Sequence, residues 1–328
     1  MQRFAGTWGL AAVGVLALGV GLSAGAAGGA TVPYHVKATI PVGSLPVAAA
    51  QANESRHVFV ANYNDDTVSV INEATNAVVA TVPVGNGRVA VAVDASINRV
   101  YVADQLANSV SIINIKTNTV VGTVPVGSSP SGIAADSGNH IVTVANSGDN
   151  TVTLFRNTTP SASFVKVLAV GDQPIGVGAD SAAHRAYVAN YLDGTLTVIN
   201  TWNKVVLRTI PVGSGPIGVA VDRAVKHVYV TNSNANTVSV VSDASLSVVD
   251  TVTVGNSPAG IGVDVNRHDV YVSNFGSNSV SVINGTTGAI RATVAVPDPL
   301  GMAVNPNNHT GYATSTATDS VYAVTNFS

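Results

Sequence analysis

Apolar and polar positions alternate along this chain in short runs, and the runs recur. After Gly213, residues Pro216 to Asp222 form an apolar run between turn residues, and Arg223 to Lys226 is polar. His227 to Thr231 alternates with β-branched and aromatic side chains, and Asn232 to Asn236 is a turn rich in Asn and Ser. Thr237 to Val241 alternates again, a second polar turn follows, and Val248 to Val254 is a fourth run. Period-two alternation between turn signals predicts strands, and four in succession predict an antiparallel meander. No sustained helical period appears beyond the first 30 residues.

The meander is written seven times. Each copy opens on a Val-Gly pair ending at Gly43, Gly85, Gly127, Gly171, Gly213 and Gly255, with a degraded seventh copy at Val296. The steps are 42, 42, 44, 42, 42 and 41 residues. Four strands in a repeat of about 40–45 residues are the signature of propeller blades. The ends are incomplete in complementary ways. Residues 33–42 supply only the last strand of a blade, and residues 299–325 only the first three. The predicted fold is therefore all-β: a seven-bladed β-propeller of four-stranded antiparallel blades, closed by pairing the N-terminal strand with the C-terminal blade. Closure removes exposed sheet edges. The first strand of every copy is Gly or Ala at two positions, Ala48, Ala90, Gly132, Gly176, Gly218, Gly260 and Gly301, then Ala50, Ala92, Ala134, Gly178, Ala220, Gly262 and Ala303. Seven sheets converging on one axis leave room only for small side chains.

Residues 1–30 read differently. Arg3 is followed by an apolar stretch from Trp8 to Leu22 and then by Ser23-Ala24-Gly25-Ala26-Ala27. That layout predicts a secretory signal with a cleavage site at Ala24-Gly25-Ala26. The alternative, a retained membrane anchor, has an apolar run short of the roughly 20 residues a span needs. The expected organisation is a signal peptide at 1–30 and a single propeller domain over 31–328. The mature chain is expected to be secreted or cell-envelope associated, monomeric and without a transmembrane span. A formal net charge of -3 argues against nucleic acid. The absence of cysteine excludes disulfides, thiolate zinc sites and cysteine nucleophiles.

The second strand carries a recurring motif. It stands as Tyr229-Val230-Thr231-Asn232, and as VFVAN (58–62), VYVAD (100–104), VTVAN (142–146), AYVAN (186–190) and VYVSN (270–274), decaying to GYATS (311–315). On these residues the chain resembles the YVTN-repeat β-propellers, relatives of WD40-like and lactonase-type seven-bladed propellers. The resemblance covers nearly the whole chain after residue 30. It implies the fold and an exported or surface-associated protein. It implies no particular activity, because propellers host unrelated functions.

Chemistry must therefore be sought in residues. His57, His140, His184, His227, His268 and His309 lie 13 or 14 residues after their anchors. Zinc requires nitrogen ligands at about 2.0–2.1 Å, which one residue per blade around a ring does not supply, so these are read as repeat consensus. Asp94, Asp136, Asp180, Asp222 and Asp264 are expected to open the turn that follows them. Asn62, Asn146, Asn190, Asn232 and Asn274 are expected to shape the hairpins on the opposite, top rim as Asx turns. A metal-dependent lactonase-like hydrolase or lyase would need Asp172, Asp298, Asn146 and Asn190 to hold a divalent cation such as calcium. The first strands offer Gly, Ala, Val and Ile, with Gln51 a rare polar exception, and no nucleophile triad, P-loop or dinucleotide fingerprint appears. No catalytic residue, metal or cofactor is expected.

Strand order sends Asp65, Asp66, Asp104, Asp149, Asp172, Asp193, Asp298 and Asp319 to the top rim. Arg88 replaces the Pro found there in the other copies, and Tyr63, Tyr191 and Phe275 follow three of the repeated Asn residues. The candidate ligand-binding set is Arg88, Asp104, Asp172, Asp298, Tyr63, Tyr191 and Phe275. Acid beside aromatic suits a protein, glycan or small-molecule partner.

Overall fold

The alternating runs become strands where the pattern places them. In one sheet, Pro216–Asp222, His227–Asn232, Thr237–Ser242 and Ser247–Thr253 pair as an antiparallel meander. The computed structural model describes residues 33–157 and 162–327. They form seven four-stranded sheets. Six are consecutive in sequence: blades 1 to 6 span 46–83, 88–125, 130–169, 174–211, 216–253 and 258–295. Blade 7 joins the ends: His35–Pro41 pairs antiparallel with Ser320–Thr325, from His35 opposite Thr325 to Pro41 opposite Ser320. The innermost strands contact one another in cyclic order, so blade 7 meets blade 1 and the ring is shut. The predicted signal segment lies outside the described residues.

The cores sit between blades. At the closing joint, Ile40, Tyr312 and Val321 of blade 7 pack with Val58, Val60 and Ile71 of blade 1. The N-terminal segment is pinned further by Tyr34, whose hydroxyl donates to the buried Asp269 carboxylate of blade 6 at 2.5 Å.

The small residues of the innermost strands have the predicted cause, and it is backbone contact. A Cβ on Gly132 would lie 2.0 Å from the Ile175 carbonyl oxygen of the next blade. The equivalent distances are 1.9 Å for Gly176 to Ile217, and 2.3 Å for both Gly218 to Ala259 and Gly260 to Leu300. Thr231 of the repeated motif bridges the same seam. Its hydroxyl accepts from Gly218 N–H and donates to the Ala259 carbonyl of blade 6, both at 2.7 Å.

Each outermost strand skips one residue in its pairing: Lys37, Val79, Val121, Val165, Leu207, Val249 and Arg291 fall in the register shifts. A bulge in every edge strand twists its free hydrogen-bonding groups away from edge-to-edge pairing. Val79, Val121, Leu207 and Val249 can then be exposed without offering a flat edge.

Candidate functional site

The bottom rim is built from joints between neighbouring blades. Arg56, Asn98, His140, His184, Lys226, His268 and His309 share one position, just before the second strand, with φ between 51° and 57°. Four of these are His, and each bonds through Nδ1 to the last Asp of the preceding blade's innermost strand. The pairs are His140–Asp94 at 2.8 Å, His184–Asp136 at 3.1 Å, His268–Asp222 at 2.7 Å and His309–Asp264 at 2.6 Å. The other carboxylate oxygen opens the turn, as Asp136 Oδ1 accepting from Gly138 N–H at 2.9 Å. The repeated His and Asp sets are thus one device, a staple from blade to blade.

His57 and His227 do not belong to that ring, which corrects the single set of six. They stand one position later and pack edge-on against Phe59 and Tyr229, with ring centroids 6.4 and 6.1 Å apart, and their Nδ1 atoms have no partner. Burial lowers the pKa of His57. The polar exception Gln51 also has a structural partner. Its amide donates to Glu73 at 3.0 Å, and Asn305 donates to the other Glu73 oxygen at 2.5 Å, across the closing joint. Burial raises the pKa of Glu73, opposed by these two donors and by Arg56.

The repeated Asn residues are not Asx turns. Each is fully buried at the end of the second strand. Asn146 donates to the hydroxyls of Thr151 and Thr153, both at 3.0 Å, and its Oδ1 accepts from the Gly127 N–H at 3.2 Å. Asn232 repeats the arrangement with Thr237, Ser239 and Gly213. The anchor glycine follows from this: a Cβ on Gly213 would lie 2.4 Å from Asn232 Cγ.

Asp104 takes the Asn place in blade 2. It is buried and accepts from the Ser111 hydroxyl at 2.7 Å. It therefore leaves the candidate surface, and Asn146 and Asn190 leave the candidate metal set for the same reason. Among the described residues, no three His, Asp or Glu side chains group so as to hold a metal ion.

Most top-rim acids lock turns. Asp65 accepts from Ser44 N–H at 2.6 Å, Asp149 from Ser128 N–H at 2.5 Å and Asp193 from Asp172 N–H at 2.8 Å, each within one blade. Across blades, Asp319 accepts from Leu45 N–H at 2.8 Å, while Asn108, Asn150, Asn236 and Asn278 serve the following blades at 2.9 Å. Their charge remains at the rim.

Five candidates stay accessible there. Asp172 is exposed and accepts from the Asn150 amide at 2.8 Å. Asp298, Tyr63 and Phe275 are half-buried. Tyr191 is half-buried too and reaches Asn234 of the next blade at 3.3 Å. Arg88 opens the innermost strand of blade 2.

The structure adds two residues that the search for acids and aromatics missed. Leu106 and Leu192 are 69% and 67% exposed on the top turns of blades 2 and 4. The same turn position holds Asn64, Gly148, Asn234, Gly276 and Ala317 elsewhere. Two leucines in a polar and small series are a departure visible in the sequence.

With this geometry in hand, comparison with known proteins locates the fold alone. No family model and no curated protein matches the chain. Among solved structures, it is similar to Kuenenia stuttgartiensis hydrazine synthase, at 18% identity and a TM-score of 0.75, covering 85% of this chain and 95% of that one. It is also similar to the chain described as the structure of U3-55K, at 13% identity and a TM-score of 0.76, covering 86% and 95%. The protein is a seven-bladed β-propeller. No helix among the described residues is long and apolar enough to cross a membrane.

Proposed function

We propose that this chain is an exported binding or scaffold protein of the YVTN-repeat type that engages a partner through its top face and carries out no chemistry of its own. The observation behind this is Leu192, projecting into solvent beside half-buried Tyr191 and exposed Asp172 on blade 4, with Leu106 equally exposed on the top turn of blade 2. Large apolar side chains on exposed turns, next to aromatic rings and within an acidic rim, have the composition of a recognition patch with a polar surround. The repeated polar residues that could be mistaken for a catalytic set are committed to joints and turns. Export is supported by the basic, apolar and small-residue succession of residues 1–30.

The test is capture of partners from cell-envelope extracts by the purified protein, compared with a variant carrying Leu106→Ser, Leu192→Ser, Asp172→Asn and Asp298→Asn. Capture by the parent and its loss in the variant is the expected outcome. Equal capture by both overturns the proposal.

A further inference from the structure

Seven joints on the bottom rim follow one plan, and one of them is left unfinished. Four carry the Asp–His staple. Two have lost the carboxylate: Ala52 faces the Asn98 position, and Asn305 faces Arg56. Between blades 4 and 5 the carboxylate is kept as Asp180, but Lys226 stands where the imidazole should be. Lys226 is exposed and is not ion-paired with Asp180.

Asp180 is consequently half satisfied. It is only 6% exposed. Its Oδ1 accepts from Ala182 N–H at 2.8 Å and Ala183 N–H at 3.1 Å. Its Oδ2 is the oxygen that takes an imidazole at Asp94, Asp136, Asp222 and Asp264, and here it has no partner. That oxygen is left facing the cleft as an acceptor open to a ligand's donor. Asp180 lines a cleft of about 320 Å³ together with Arg185, Arg223, Lys226 and Asp243. Arg185 is already bound to Asp243 at 2.5 Å. Arg223 and Lys226 are exposed and form no ion pair among the described residues, so they present positive charge at the cleft. The cleft therefore offers an unfilled acceptor inside and unfilled cations outside. Opposite charges at two depths fit a ligand that carries both.

We propose that this cleft binds a small zwitterion of the α-amino-acid class, with an N–H donor seated on Asp180 and the carboxylate held by Arg223 and Lys226. A cleft of about 320 Å³ is at the small end of ligand-binding clefts, which suits a single amino acid. Histidine is the best-matched probe, because its imidazole reproduces the side chain that four other joints supply from within. The site lies on the opposite rim from the top-face patch and does not depend on it.

The experiment is titration of the purified protein with L-histidine, imidazole and acetate by NMR or calorimetry. L-histidine is expected to bind at millimolar concentration at least tenfold more tightly than either half-ligand. Asp180→Asn keeps the Oδ1 cap and is expected to weaken binding about tenfold, since a hydrogen bond to a charged group is lost. Arg223→Gln is expected to weaken it about threefold, as befits an exposed charge. Lys226→His supplies the imidazole internally. It is expected to abolish binding and to raise the melting temperature, because four joints already accept His at this position. Absence of L-histidine binding, equal binding of imidazole and L-histidine, or binding unchanged in Asp180→Asn would each overturn the proposal.

Discussion

Gly176→Ala tests the packing logic of the ring at its tightest point. The new Cβ would lie 1.9 Å from the Ile217 carbonyl oxygen and 3.0 Å from its carbonyl carbon. Real Cβ atoms essentially never approach below 3.0 Å, so the two innermost strands must separate by about 1.1 Å at this point. Both atoms in conflict belong to strand backbone, so no rotamer change relieves them. The next seam cannot absorb the shift freely either, because Gly218 stands in the same relation to Ala259 at 2.3 Å. Overpacking of a well-filled interior costs about 1–3 kcal/mol. Restricting the unfolded chain by Gly→Ala returns about 0.4–1 kcal/mol. The net expectation is about 2 kcal/mol of destabilisation, read as a lower urea midpoint by circular dichroism. Ala48 and Ala90 hold the same position with a Cβ already in place. The reverse change Ala90→Gly is therefore expected to cost only about 0.5–1 kcal/mol, through backbone entropy. If Gly176→Ala stays within about 0.5 kcal/mol of the parent, the neighbouring backbones are not in contact and the reason given for the small residues is wrong.

Two further outcomes are expected. Deleting residues 31–42 removes the strand that completes blade 7, along with Ile40 and Tyr34, and should replace cooperative melting with aggregation; a truncated protein that melts like the parent would refute closure by this strand. Glu73 has a raised folded pKa, so its contribution to stability is fully present below its unfolded pKa and is lost as pH rises through the folded value. The stability difference between the parent and Glu73→Gln should therefore shift in the parent's favour as pH falls through the carboxylate range, and a pH-independent difference would contradict that assignment.

The fold was legible because the 42-residue step, the four alternating runs and the complementary ends all report the same object. The role of the repeated Asn was not legible. Its partners Thr151 and Thr153 recur as Thr or Ser at fixed distances in blades 1 to 6, and Asn146 itself recurs in all of these but blade 2, so repetition alone cannot say which of them touch. The His–Asp staple was hidden for a related reason. It joins Asp94 to His140 across blades, and linear spacing does not reveal which blade's residue meets which. The offset that separates His57 and His227 from the other four was available, since Val58 and Val228 follow them directly whereas Ile141 intervenes after His140. Leu106, Leu192 and Lys226 were legible only as departures, and their meaning depended on knowing what the departing position touches in other blades. Departures from the repeat are thus where function is most economically sought in this molecule, because the repeated polar groups are already bonded.

Hydrogen–deuterium exchange of the protein with and without its captured partner bears most directly on the top-face assignment. Protection is expected on the top turns at 63–66, 105–108, 191–194 and 275–278, with the bottom turns at 53–56 and 223–226 unchanged. Protection confined to the bottom turns would contradict it.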